Sequence, residues 1–404
     1  MRDAEKHSRA VIMFEKENNG IFGLYLALLF FIGFGWFMIA PIIPDLTRIF
    51  HTSPSDLLVI ISAYGYTMVA FGLLAGYISF KGRVGNSVLA SAVLTVIGLG
   101  LRPVLQGYIP FLFLSILAAI GYPLAMAPVG SIAEVFGGSR SHSLIGFSVG
   151  SLFLGMAIGA LLTPYMIIVL PLDAVLEIPA IAAFVIAIMF LIFKSKFPSY
   201  YSPRKFKGVF RIGMVKNWYV GLTISAMSVM FGSIASSVLI LHGFKESTAL
   251  EAGGLFGGLA FLGSAVGAMV LPPLFGRNQN LKYGLVSTGS MAFVFGFSMM
   301  LSLEFSRSLY LIGILFFLFG FFGNAYWSMA MTSVTYYSPK PEDAGFSTAM
   351  FSVATNTGVA VIPVFLGSLF VSPGHIFLGM TVVSLLLLFS GLVSYFLLHS
   401  PMPS

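Results

Sequence analysis

Asn324 and Asn356 each stand in the middle of a long apolar run, where a polar group is costly unless it has a task. An amide both donates and accepts, so the pair suits recognition of a polar solute. The competing use is a hydrogen bond that ties one helix to the next. Trp36 and Trp327 are placed in the same way. They could wall a site or hold an amine by cation–π attraction, or they could simply pack at the interface with lipid. Tyr64 and Tyr122 add phenols at similar depth. Ser225, Ser228 and Ser233 fall in one run, where small residues chiefly let helices approach closely. Carboxylates are missing from these middle turns: Asp45, Asp56, Glu134 and Glu251 all lie near the ends of their runs. Recognition is therefore expected to rest on neutral groups and to vary little between about pH 5.5 and 8, where a deep carboxylate with a raised pKa would titrate.

Catalytic patterns are absent. There is no HExxH, no Walker loop, no GxSxG with triad partners and no cysteine. Neither an enzyme nor a cofactor nor a metal centre is expected. An ATP-driven pump would need a partner chain to supply the nucleotide site.

The elements that hold these residues are apolar to an unusual degree. Of 404 residues, 58% are apolar and 9% charged, whereas a soluble domain needs about 25% charged residues to cover its surface. Twelve runs reach the length of about 20 residues that spans a bilayer: 21–43, 57–79, 86–105, 109–133, 143–166, 170–193, 218–240, 252–275, 283–303, 309–333, 346–370 and 376–398. The fold class is thus an all-α membrane protein. One long polar stretch divides it into an N-terminal six-helix bundle (1–193), a basic linker (194–217) and a C-terminal six-helix bundle (218–404). The first run is too long for a signal peptide and reads as a retained helix.

Arg48, Arg102, Lys245 and Arg307 fall on one side of such a topology, and every other Lys and Arg falls on the other. Basic residues mark the cytoplasmic side. Both termini and the linker are therefore expected in the cytoplasm, in a multi-pass protein of the cell membrane. The formal charge of +7 has this origin. It does not form a Lys/Arg-rich face of the kind that binds nucleic acid. Arg102 and Glu177 are odd charges in otherwise apolar runs, and a structural ion pair between them is expected. Pro41, Pro44, Pro123, Pro128 and Pro363 are candidate kinks.

The halves repeat weakly. His51, Gly72 and Gly76 recur as His242, Gly263 and Gly267 at a constant offset, and both glycine pairs make a GxxxG for close packing. Phe147, Ser148 and Val149 recur as Phe351, Ser352 and Val353. The common direction implies a parallel duplication of a six-helix unit.

Six plus six helices with a basic central loop resemble the major facilitator superfamily over nearly the whole chain. GYISFKGRVG, with Gly76, Lys81, Gly82 and Arg83, is similar to that family's loop between helices two and three. The acid that normally anchors a charge-relay gate there is absent, with Ser79 or Phe80 in its place. IAEVFGGSRSHSLIGFSVG resembles the helix four-to-five junction, with Glu134 and Arg140 at the matching places. AIGYPLAMAPVGSIAEVF and TYYSPKPEDAG are similar to segments of the branch containing the feline leukaemia virus subgroup C receptors, which implies choline-like amines or haem as cargo. In that branch's helix four a glutamine stands where this chain has Tyr122.

The resemblance implies alternating access around a central site lined by segments 1, 2, 4, 5, 7, 8, 10 and 11. Trp36, Tyr64, Tyr122, Asn324, Trp327 and Asn356 become the candidate substrate residues, and Gly76, Lys81, Gly82, Arg83, Glu134 and Arg140 the gating motif. The expected function is secondary active or facilitative transport of a small organic solute, neutral or amine-bearing, by a monomer in the bilayer. The alternative is a non-transporting receptor or scaffold on the same fold, although the loops offer little for a partner to hold.

Overall fold

The computed structural model describes residues 2–81, 84–104, 106–193, 197, 210–275, 279–338 and 340–396. Among the described residues fourteen α-helices run in order: α1 Arg2–Phe37, α2 Ile43–Phe50, α3 Pro54–Phe80, α4 Val84–Leu101, α5 Tyr108–Met126, α6 Val129–Gly137, α7 Ser141–Val169, α8 Leu172–Phe193, α9 Trp218–Leu241, α10 Glu246–Phe275, α11 Gln279–Phe305, α12 Leu309–Thr335, α13 Pro341–Phe370 and α14 Ile376–Phe396. They make twelve spans of membrane-crossing length, because α1 with α2 and α5 with α6 are single spans broken midway. Both breaks sit at proline, which lacks the N–H an α-helix interior needs. Pro41 lies in the 3-10 turn Ala40–Ile42, and Pro128 caps α6 just after Pro123. Pro363 is carried inside α13 without interruption.

Local sequence explains the corners. Ser53 closes a capping box with Asp56 and sets Pro54 at the first turn of α3. Gly243 takes φ +81° in the turn between α9 and α10, which a Cβ would disfavour. The four residues from His242 to Lys245 reverse the chain there, so α9 and α10 are antiparallel neighbours.

Burial sorts the helices. Of the most apolar window, 78% is inside the protein in the first and seventh spans but 22% in the twelfth. The first and seventh spans are therefore central and α14 peripheral, with Phe377 and Phe396 turned outward as lipid-facing side chains are. The two halves meet chiefly where α3 packs on α13 and α7 on α10. The bundle has an Arg48 end, where α2 meets α3, and an opposite Lys81 end, where α3 stops.

The repeated glycines are close-packed but not equivalent. Gly72 and Gly76 face Val353 and Ala349 of α13, in the other half. Gly263 and Gly267 face the backbone carbonyls of Phe317 and Phe321 on α12, in their own half. The constant offset thus overstates the symmetry: it pairs glycines on different faces of corresponding helices. The FSV match fails in the same way, since Phe147 is half exposed and Phe351 is buried. The histidines do correspond, His51 ending α2 and His242 ending α9.

A Cβ at Gly267 would overlap the Phe321 carbonyl oxygen. Backbone cannot yield as a side-chain tip can. Gly267→Leu should therefore lose at least the roughly 1–3 kcal/mol typical of overpacking, seen as a lower melting temperature in detergent. A melting temperature equal to the parent's would show that α10 and α12 tolerate separation.

Candidate functional site

A cavity lies at the middle of the bundle, between the halves. Trp36 of α1, Tyr122 of α5 and Leu152, Phe153 and Met156 of α7 line it from one half. Ser225, Ser228 and Val229 of α9, Trp327 of α12 and Asn356 and Val359 of α13 line it from the other. The space open to the centre of a water molecule is about 20 Å³, room for a single water. The halves close it on both sides. At the Arg48 end, Gly254 of α10 sits against Ala160, Pro164 and Pro41, and Arg48 reaches Glu246 at 3.1 Å and its own neighbour Asp45. At the Lys81 end, Gly130 of α6 sits against the Ala344 carbonyl, and Thr348 donates to the Ala127 carbonyl at 3.0 Å.

Four of the six expected substrate residues come together in this lining: Trp36, Tyr122, Trp327 and Asn356. Tyr64 stands directly behind, stacked on Trp36 at 4.4 Å and nearly parallel to it. The Trp36 Nε1–H donates to the Ile61 carbonyl at 2.9 Å, which fixes the indole as a wall. Trp327 is braced edge-on by Phe153 and tilted against Phe351. Its Nε1–H has no partner among the described residues.

Asn356 donates to the Ser352 carbonyl at 2.9 Å and to the Tyr122 hydroxyl at 3.4 Å, joining the two halves. Asn324 is placed differently. It is fully buried among α9, α10 and α12, donating to Ser264 at 2.7 Å and Ser228 at 3.4 Å. It stands one layer outside the cavity and ties helices together. Ser225, Ser228 and Ser233 give their protons to carbonyls of their own helix, as small residues in a packed helix do.

The expected gating residues are described in part. Gly82 and Arg83 lie outside the described residues, as does most of the 194–217 linker. Lys81 is half-buried with its Nζ 5.3 Å above the Phe80 ring. At the two positions where the family's acid could fall, Ser79 meets Ser131 of α6 at 3.0 Å, with Gly345 of α13 pressed against both hydroxyls, and Phe80 packs against Phe346. Glu134 lines a second cavity of about 240 Å³ at the Lys81 end, with His142, Ser141, Thr332, Thr335, Tyr336, Gly138 and Ser338. Arg140 is exposed at the end of a 3-10 turn.

Two charges depart from expectation. Arg102 does not pair with Glu177. Its long side chain turns inward to α1, where Nη1 donates to the Gly35 carbonyl and Nη2 meets the Met38 sulfur, each at 3.4 Å. Glu304 escapes the sequence reading because the apolar run 283–303 stops one residue short of it. Its side chain is 3% exposed, with Oε2 3.3 Å from His242 Nε2. Burial, and then Arg307, hold the His242 imidazole below its ordinary value.

A twelve-span bundle of two halves closed around a central cavity defines a polytopic membrane transporter. The model of the Major Facilitator Superfamily matches residues 25–304, and the chain belongs to that family. Among solved structures it is similar to the human organic anion transporter MFSD10 (TETRAN), with a TM-score of 0.69 and 14% identity, covering 93% of this chain and 99% of that one. At that identity the likeness speaks to the fold alone. No curated protein sequence matches the chain significantly.

Proposed function

We propose that this chain is a secondary active or facilitative transporter that carries a small organic solute by alternating access, with the central cavity as its binding site. The observation that supports this is the origin of the lining: three helices from each half meet at one point, and the same halves touch above and below it. A site shared in this way can be exposed to either side by rocking one half on the other. Residues 1–193 and 218–404 are then the moving units, joined by the 194–217 linker, in a monomer.

Of the two solute classes expected from sequence, the amine-bearing one is poorly served by this lining. An amine would find the ring faces of Trp36 and Trp327, but no carboxylate among the described lining residues. The test is a thermal-shift screen of the purified protein against metabolites, amines and lipid-like compounds, because a ligand stabilises the state it binds. Hits are then tested for uptake into liposomes. A ligand that binds but is never taken up would favour the receptor reading.

The Lys81 end is the cytoplasmic one in this proposal, by the distribution of Lys and Arg. The chain has no cysteine, so single cysteines report cleanly. On intact cells an impermeant reagent should label Ser247→Cys and leave Ser202→Cys untouched. The opposite pattern would invert the topology.

A further inference from the structure

Arg102 is among the largest fully buried side chains of the described residues, and arginine keeps its charge throughout the physiological range. A buried cation ordinarily has a carboxylate beside it, because desolvating an uncompensated charge is expensive. Here the described residues supply none. The guanidinium has a carbonyl, a thioether and the face of Phe111, whose centroid is 5.2 Å from Cζ, and its Nε–H has no partner among the described residues.

Its position gives that charge a target. The Gly35 carbonyl it holds belongs to the residue before Trp36. Tyr64, within electrostatic reach of the guanidinium, is the residue stacked on Trp36. The charge therefore stands immediately behind the Trp36–Tyr64 wall of the central cavity. The lining adds donors that are not used up: among the described residues the Trp327 Nε1–H has no partner, and the Tyr122 hydroxyl accepts from Asn356 and gives its own proton to no group.

We propose that the central site selects solutes bearing an anionic group, such as a carboxylate, sulfonate or phosphate, and that Arg102 sets this selection through the wall without touching the solute. The donors of Trp327 and Tyr122 receive the anionic group. This rests on the reading of the cavity as the transport site and sharpens its solute class.

The experiment uses ions as probes. Trp218→Phe removes the one tryptophan outside the cavity and leaves Trp36 and Trp327 as emitters. Their fluorescence in the full chain is quenched with iodide, caesium and neutral acrylamide. Quenching by acrylamide shows that the cavity opens, and its absence overturns both the transport reading and this inference. Given opening, iodide should quench more strongly than caesium. The ratio should fall by roughly 100-fold or more in Arg102→Gln, because a unit charge acting across roughly 10 Å at an effective dielectric of 20 shifts each ion by more than about tenfold in opposite directions. It should return in Arg102→Lys, which keeps the charge but not the hydrogen-bond geometry, and should be unmoved by Lys245→Gln at the surface. Acrylamide quenching with an unchanged ratio in Arg102→Gln overturns the inference and leaves the transport reading standing. If Arg102→Gln does not fold, the parent decides: iodide and caesium quenching equally, after normalisation to a free tryptophan analogue, overturns it.

Discussion

Asn356→Ala should weaken solute binding by about five- to 150-fold, the span of roughly 1–3 kcal/mol expected when a buried hydrogen-bonding partner is left unpaired. Asn324→Ala, the same substitution on the neighbouring helix, should leave affinity nearly unchanged and lower the melting temperature. The contrast comes from placement. Asn356 lines the cavity and spans the halves through Tyr122, so its loss is felt by the solute and by the contact that encloses it. Asn324 spends its amide protons on Ser264 and Ser228, so its loss is felt by the packing of α9, α10 and α12. Calorimetry at two pH values with any ligand from the thermal-shift screen separates these outcomes. No described lining residue titrates between about pH 5.5 and 8, so the parent's affinity should be flat across that range for a solute that does not itself titrate. A loss of affinity in Asn324→Ala equal to that in Asn356→Ala would mean that the site extends to the helix interface behind Ser228.

What could be read in the sequence was whatever depends on composition along one helix. Spans, proline breaks and the depth of Trp36, Tyr122, Trp327 and Asn356 follow from runs of apolar residues and the positions of polar ones within them. Depth is a one-dimensional quantity. The direction a side chain takes around its helix is not, and that is where expectations and structure part. Asn324 and Trp327 are three residues apart, near enough on a helix to look equivalent, yet one faces helices and the other the cavity. Gly72 and Gly263 share an offset but not a face. Arg102 lies just beyond the end of its helix, and its four-atom reach toward Gly35 carries the charge far from where its Cα stands. The charge-relay gate could be doubted from the missing acid alone. That Ser79, Ser131 and Gly345 meet at that end required three helices to be brought together.

Alternating access makes a prediction that needs no ligand: the two ends of the bundle cannot vary independently. Gly345 is pressed by Ser131 and Ser79 across the halves at the Lys81 end, and Gly254 by Ala160, Pro164 and Pro41 across the halves at the Arg48 end. A leucine at either position cannot fit without parting the halves there, since cores filled to this density have no slack. Gly345→Leu should hold the Lys81 end open and the Arg48 end shut. Gly254→Leu should do the reverse. The shift should be large, because each wedge removes one closed state and leaves the other intact, and a few kcal/mol of differential stability suffices to move a two-state equilibrium from one side to the other.

Distances between spin labels measure this directly in a chain that has no native cysteine. Ile109→Cys with Tyr310→Cys reports the Arg48 end, and Val135→Cys with Tyr283→Cys the Lys81 end. All four side chains are exposed, and each pair straddles the halves. With Gly345→Leu, the Val135–Tyr283 distance should lengthen while the Ile109–Tyr310 distribution narrows to its short component. With Gly254→Leu the two changes should trade places. Distances that move together, or one end that responds while the other keeps the parent's distribution in both variants, would contradict alternating access around the central cavity.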